Sequence, residues 1–128
     1  MRLRILAIAA LATGLTHASA AADAAAGKRA FARCASCHQV GPSARSAFGP
    51  QLNGIVGRRA AAVADYRYSE AMRKSGIVWD AQRLAAFLRS PDKAVPGTSM
   101  RFWGLSDEKQ IADLLAYLRT FTPRGDQQ

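Results

Sequence analysis

The stretch Cys34-Ala35-Ser36-Cys37-His38 holds both cysteines of the chain and one of its two histidines. C-x-x-C-H is the attachment signature of c-type haem. The chemistry accounts for the spacing. Each thiol adds across one vinyl group of the porphyrin, and one turn of helix between the cysteines matches the separation of the two vinyls. The adjacent imidazole then falls beneath the iron, where it can serve as proximal ligand. Three other uses of the same residues are weaker. A structural zinc site needs about four protein ligands, and two thiols with one imidazole fall short. A thioredoxin-like redox pair belongs beside a βαβ pattern, and strands do not alternate with helices here. A plain disulfide is sterically poor at this spacing in a helix.

Upstream of this stretch, Arg2 and Arg4 open the chain. An apolar run of about eleven residues follows from Ile5 to Leu15, and Ala18-Ser19-Ala20 has the A-x-A form of a cleavage site. These features predict a secretory signal peptide over residues 1–20, cut after Ala20. The apolar run is shorter than the roughly 20 residues a membrane span requires, so no stable membrane insertion is expected after cleavage. Export to the periplasm suits the motif, because bacterial c-type haem is attached outside the cytoplasm. Residues 21–128 then form a single small domain, in which His38 is the sole histidine. A chain this short buries a modest core, to which a covalent haem adds a large apolar body.

Without Arg2 and Arg4 the net charge is about +7. That balance favours fast, salt-sensitive association with acidic partners. Nucleic acid is the usual rival for a basic chain, but no helix-turn-helix, zinc-finger or RNP pattern is present, so nucleic-acid binding is not expected.

Residues 24–36 are rich in Ala, Lys and Arg and predict a helix that runs into the haem motif. Gly27 and Phe31 share one of its faces, and a close packing partner would explain a glycine there. Residues 41–67 lack a sustained period and carry many Gly, Pro, Ser and Ala residues. A loop this long needs a reason, and wrapping a cofactor is one. Gly49-Pro50 marks a turn within it. Arg58 and Arg59 would be solvated surface in most chains, but buried haem carboxylates would need such a cation. A short helix is expected over 68–74, capped near Ser69, and a second over 81–89, capped by Asp80 and stopped by Ser90-Pro91. Tyr68 and Trp79 are either ordinary core or polar handles toward a cofactor.

Pro96-Gly97-Thr98-Ser99-Met100 is the second decisive stretch. Pro and Gly prescribe a turn that leaves Met100 in a loop rather than in a helix stripe. Methionine is usually gap-filling core, and Met72, in a short helix beside charges, fits that role. Met100 is therefore the expected sixth ligand. A last helix over 106–120 is predicted from Ser106 as N-cap, Asp107 and Glu108 in the first turn, and Ile111, Leu114, Leu115 and Leu118 at i, i+3, i+4, i+7. Leu114 and Tyr117 are placed to cover Gly27 and Phe31. The tail from Thr122 is expected to fray.

Six stretches in order carry a family resemblance: GKRAFARCASCH (27–38), GPQLNGIVGR (49–58), YSEAM (68–72), GIVW (76–79), PGTSM (96–100) and DLLAYL (113–118). Over roughly residues 27–121 the chain resembles the class I c-type cytochromes, close to mitochondrial cytochrome c and its soluble bacterial relatives. The resemblance implies an all-α fold with crossing terminal helices and long loops around one covalent haem c. It implies Cys34 and Cys37 as thioether residues, His38 and Met100 as axial ligands, and the Pro50 carbonyl as acceptor of the other imidazole N–H. Arg58, Tyr68, Trp79 and Thr98 match residues around the haem propionates, and Phe102 matches an aromatic at the exposed haem edge. Gly27, Phe31, Leu114 and Tyr117 match the crossing of the first and last helices. The chain departs from mitochondrial members in four places. Phe87 replaces a tyrosine that bonds the methionine sulfur, Met72 replaces a pocket asparagine, and Asp92 and Ser99 stand where docking lysines are common. Arg33, Arg45, Arg73, Lys93 and Arg101 offer an alternative basic rim.

The implied function is one-electron transfer by a monomer without enzymatic activity. Its partners would be redox proteins with acidic docking surfaces: a cytochrome bc-type complex, an oxidase, a photosynthetic reaction centre or a periplasmic dehydrogenase. The rival is a haem peroxidase or gas-binding sensor, which needs a labile Met100. A dedicated subunit of one such enzyme and a non-haem interaction module are more remote readings.

Overall fold

A computed structural model describes residues 20–128, so the expected signal peptide lies outside the described residues. Five helices follow in order: α1 (Ala24–Phe31), α2 (Glu70–Lys74), α3 (Ala81–Arg89), α4 (Pro91–Ala94) and α5 (Glu108–Arg119). Two isolated bridges, Arg59 with Val78 and Phe121 with Gln127, are the β-type pairings among these residues. No helix among the described residues is long and apolar enough to cross a membrane.

The fold is organised by α5, which packs on α1 and on α3. Ile111, Leu114, Leu115 and Leu118 are all buried, as their spacing predicts. Each such side chain contributes about 1.5–3 kcal/mol relative to an exposed one. The crossing with α1 is close because residue 27 is glycine. A Cβ there would lie 1.9 Å from the Asp113 carbonyl oxygen and 2.8 Å from Tyr117 Cβ. Phe31 packs its ring against Tyr117 with centroids 5.6 Å apart.

Asp113 is a polar residue buried in this crossing. Its carboxylate accepts from the Asp23 backbone N–H at 2.7 Å and from Lys109 Nζ at 2.6 and 2.8 Å. Those bonds, the Lys109 ammonium first, hold its pKa below the usual carboxylate value. A depressed carboxylate pKa stabilises the fold at pH values above the unfolded pKa of about 4, and the stabilisation is lost as pH falls through the lower folded value. Asp113→Asn is therefore expected to lower the thermal midpoint at neutral pH, with the difference from wild type closing in acid. Equal midpoints at pH 7 would show that the ion pair adds nothing.

Three local readings need correction, and one short helix was not read from the sequence. The first helix ends at Phe31 rather than at residue 36, because the chain then tightens into turns. Cys34 N–H reaches the Phe31 carbonyl, and His38 N–H reaches that of Cys34 at 2.8 Å. The last helix starts at Glu108 with Asp107, not Ser106, as N-cap. The Asp107 carboxylate accepts from the Lys109 and Gln110 backbones at 2.9 and 3.3 Å, a stronger cap than a hydroxyl. Pro91 follows the end of α3 but also opens the one-turn helix α4, at the first position where proline is tolerated. The tail does not fray: Gln128 N–H bonds the Thr120 carbonyl and Thr122 N–H that of Asp126, both at 2.9 Å. Gly125 lies so close to the Gly41 carbonyl that a Cβ would come within 2.2 Å. Elsewhere α2 and α3 form as expected, capped by Ser69 and Asp80.

The loop between α1 and α2 has no helix of its own, yet it is fixed. Asn53 is buried and exchanges two 2.8 Å bonds with the Gly41 backbone, acting as a substitute peptide. The Arg58 guanidinium donates to the carbonyls of Asn53 (3.0 Å) and Gln51 (2.9 Å). The backbone of Trp79 clips onto 57–58 through Trp79 N–H to Arg58 O and Gly57 N–H to Trp79 O.

Candidate haem-binding site

These elements enclose a cavity of about 490 Å³ with a largely apolar lining, a size suited to one cofactor. All nine site residues expected from the sequence line it: Cys34, Cys37, His38, Pro50, Arg58, Tyr68, Trp79, Thr98 and Met100. The stretches 34–38 and 96–100 thus converge on one space although some sixty residues separate them.

His38 is the most tightly held member. It is buried, and its Nδ1 lies 2.7 Å from the Pro50 carbonyl oxygen. A carbonyl can only accept, so Nδ1 carries the proton and the Nε2 lone pair is left free. Gly49 presses against the ring: a Cβ there would sit 2.4 Å from Cε1. Burial pushes the imidazole pKa below its ordinary value; the Pro50 bond opposes this and the Arg58 charge adds to it. The ring is therefore neutral at neutral pH, the form that ligates a metal.

The cysteines are unpaired. Burial and the neighbouring Cys37 raise the Cys34 thiol pKa against the opposing effect of Arg33. A redox-active C-x-x-C pair requires the reverse, a depressed thiol. Among the described residues no group of three or more His, Cys, Asp or Glu side chains is arranged to hold a metal ion.

On the other stretch, Gly97 takes φ +87° and the Thr98 N–H bonds the Val95 carbonyl at 3.0 Å. This is the turn that Pro96-Gly97 prescribes. Thr98 is buried and its Oγ1 accepts the Met100 N–H at 3.3 Å, so the methionine backbone is held while its side chain lines the cavity. Met72 is buried in α2 and lines the same cavity. Phe87, also a lining residue, packs on Trp79 with ring centroids 5.1 Å apart.

Arg58 shows what else the cavity is built to receive. Burial lowers its pKa from the ordinary guanidinium value, and among the described residues no carboxylate pairs with it. A half-buried cation facing a cavity favours an anionic ligand. Tyr68 has its pKa raised, chiefly by burial, and keeps its O–H as a donor. One haem fits this donor set: two thiols, one neutral imidazole, one thioether and a cation for its carboxylates.

Tyr66 is among the lining residues not singled out from the sequence. Tyr66 stacks edge-on against Tyr68 at 4.8 Å and donates its O–H to the Phe48 carbonyl at 3.1 Å. The Tyr-x-Tyr spacing was the available signal, since residues two apart on an extended chain share a side. The contact of Gly49 with His38 is a second omission; local sequence marks it only as a turn.

The cytochrome c family model matches residues 24–122. Among curated proteins, cytochrome c2 of Blastochloris viridis is 39% identical over 110 residues, covering 86% of this chain and 87% of the relative. Cytochrome c-554 of Methylosinus trichosporium is 44% identical over 123 residues, covering 96% and 93%. Among solved structures, cytochrome cH from Methylobacterium extorquens superposes with a TM-score of 0.72 at 47% identity, covering 77% of this chain and 98% of that one. The site geometry and these matches agree: the chain belongs to the cytochrome c family and is an electron carrier built around a covalently bound haem c.

Proposed function

We propose that the protein is a periplasmic monomer that shuttles single electrons between redox proteins and catalyses no reaction of its own. The carrying observation is the convergence in one cavity of a braced, neutral His38, the two thiols of 34–37 and the thioether of Met100. A haem held there would supply one-electron ferrous/ferric chemistry, and His38 and Met100 as its ligands would hold its potential above that of more electron-donating ligand sets. The chain's residues do the rest. Cys34 and Cys37 keep the group attached through repeated encounters. Pro50 and Gly49 hold the His38 ring with Nε2 toward the cavity. Thr98 and the Pro96-Gly97 turn present Met100. Arg58, Tyr68, Trp79 and Thr98 compensate the propionates. With His38 and Met100 both offered to the metal, the chain would leave no position on it for a substrate.

The positive charge and the acidic face expected of an oxidase, reaction centre, bc-type complex or dehydrogenase favour short, salt-sensitive encounters. The peroxidase or gas-sensor reading has no support among the relatives. A pyridine haemochrome assay should show two thioether links and one haem per chain. The ferric protein should show the methionine-sulfur charge-transfer band at neutral pH. Absence of that band, together with rapid carbon monoxide binding by the reduced protein, would overturn the carrier reading.

A further inference from the structure

Trp103 is the most exposed large hydrophobic residue among the described residues, with a relative accessibility of 102%. Tryptophan seldom stands wholly in water without a reason, and three features show that this one is presented. Leu105 N–H bonds the Leu88 carbonyl at 2.9 Å, so the chain just beyond Trp103 is tied to α3. Gly104 between them takes φ +96° and approaches the Arg89 carbonyl so closely that a Cβ would come within 2.0 Å. Leu105 is buried. The backbone is pinned inward on one side of Trp103 while Met100, Arg101 and Phe102 line the cavity on the other. The indole has no inward course.

The cavity rim, bordered by the stretch that carries Trp103, defines the partner. Arg33, Arg59 and Arg101 are exposed yet line the cavity, so they stand at its rim. None of them forms an ion pair among the described residues. No Asp or Glu lines the cavity. The rim is therefore cationic, and Arg101 and Phe102 join it directly to the exposed indole in the chain. Phe48, 85% exposed, stands at the same rim.

We infer that Trp103 is a preformed apolar anchor that inserts into a depression on an acidic redox protein, fixing the orientation in which the cavity mouth faces that partner. This rests on the carrier reading above. The rim arginines draw the partner in, and their effect is screened by salt. Burial of the indole is not screened, and a rigid aromatic loses little freedom on docking. Anchors of this kind dominate interface energetics.

The test uses the full haem-loaded protein and membranes from its own source, with each purified membrane complex as electron acceptor or donor over a salt series. Trp103→Ala is expected to raise the KM for the cytochrome by about tenfold with kcat little changed, and to do so at high salt as well as at low. Trp103→Phe should restore most of the loss. Arg101→Ala should instead flatten the salt dependence. Co-sedimentation with the same membranes should show the same tenfold weakening. The thermal midpoint of Trp103→Ala and its rate with ferricyanide should match wild type. If wild type turns over and Trp103→Ala has an unchanged KM at high salt, the anchor is wrong and the carrier reading stands. If wild type turns over with none of the complexes, the carrier reading fails and the anchor fails with it.

Discussion

Met100→Ala should convert the protein from one that ignores small ligands into one that binds them. The reduced variant is expected to take up carbon monoxide at neutral pH, and the ferric variant to lose the methionine-sulfur band. Its potential should fall by on the order of 0.1–0.3 V, a part of the roughly 0.8 V range over which axial ligands act. The fold should survive. The turn that carries residue 100 is held by Gly97, by the Thr98–Val95 backbone bond and by a Thr98 hydroxyl that accepts the residue 100 amide, none of which needs the thioether. Met72→Ala gives the opposite pattern. Met72 is buried in a capped helical turn, and truncating a buried methionine costs about 2–5 kcal/mol while leaving ligation intact. Spectroscopy and denaturant midpoints on the two variants separate the roles. If Met72→Ala, and not Met100→Ala, opened the iron to carbon monoxide, the ligand assignment would be reversed.

The placement of Met72 in a helix and of Met100 after a turn was legible without the fold, because it depends on local chemistry. Pro96-Gly97 dictates a turn wherever it occurs, and Ser69 and Asp80 cap helices by bonds within three residues. The same holds for Cys34, Cys37 and His38, whose close spacing puts them on one wall of the cavity. What local reading missed depends on distant partners. Residues 32–36 have good helix propensity, but the chain there turns in tighter steps to deliver His38 to Pro50. The tail has fraying composition, yet Gly125 is buried against Gly41 and Asn53, more than seventy residues away. Asp113 reads as a surface acid within DLLAYL, and its burial follows only from the approach of Asp23. Gly49 looks like a turn residue until the His38 ring is seen against it.

Gly27→Ala should be among the most damaging single-methyl changes in the chain, although helix propensity alone predicts the reverse. In an exposed helix, replacing glycine by alanine gains about 1 kcal/mol, and Ala25→Gly, at an exposed position of α1, should cost a similar amount. At residue 27 the added carbon would meet Asp113 backbone atoms at 1.9 and 2.5 Å. Backbone cannot swing aside as the tip of a side chain can, so α1 and α5 must part. Overpacking usually costs about 1–3 kcal/mol. Parting the helices also loosens the Phe31–Tyr117 ring contact, which contributes about 0.5–1.5 kcal/mol, and stretches the charged bond from Asp23 N–H to Asp113. The clash outweighs the propensity gain, and a net loss of about 3 kcal/mol or more is expected from a total of about 5–15 kcal/mol. The denaturant midpoint of the haem-loaded variant measures it; a midpoint equal to or above wild type would refute the close crossing. The damage should also reach the site. The Cys34 amide hangs from the Phe31 carbonyl at 2.8 Å and the His38 amide from that of Cys34, so a shift of α1 moves the attachment stretch itself. The methionine-sulfur band should therefore weaken at denaturant concentrations below the main unfolding transition. Ala25→Gly, which destabilises α1 without displacing it, should show no such early loss.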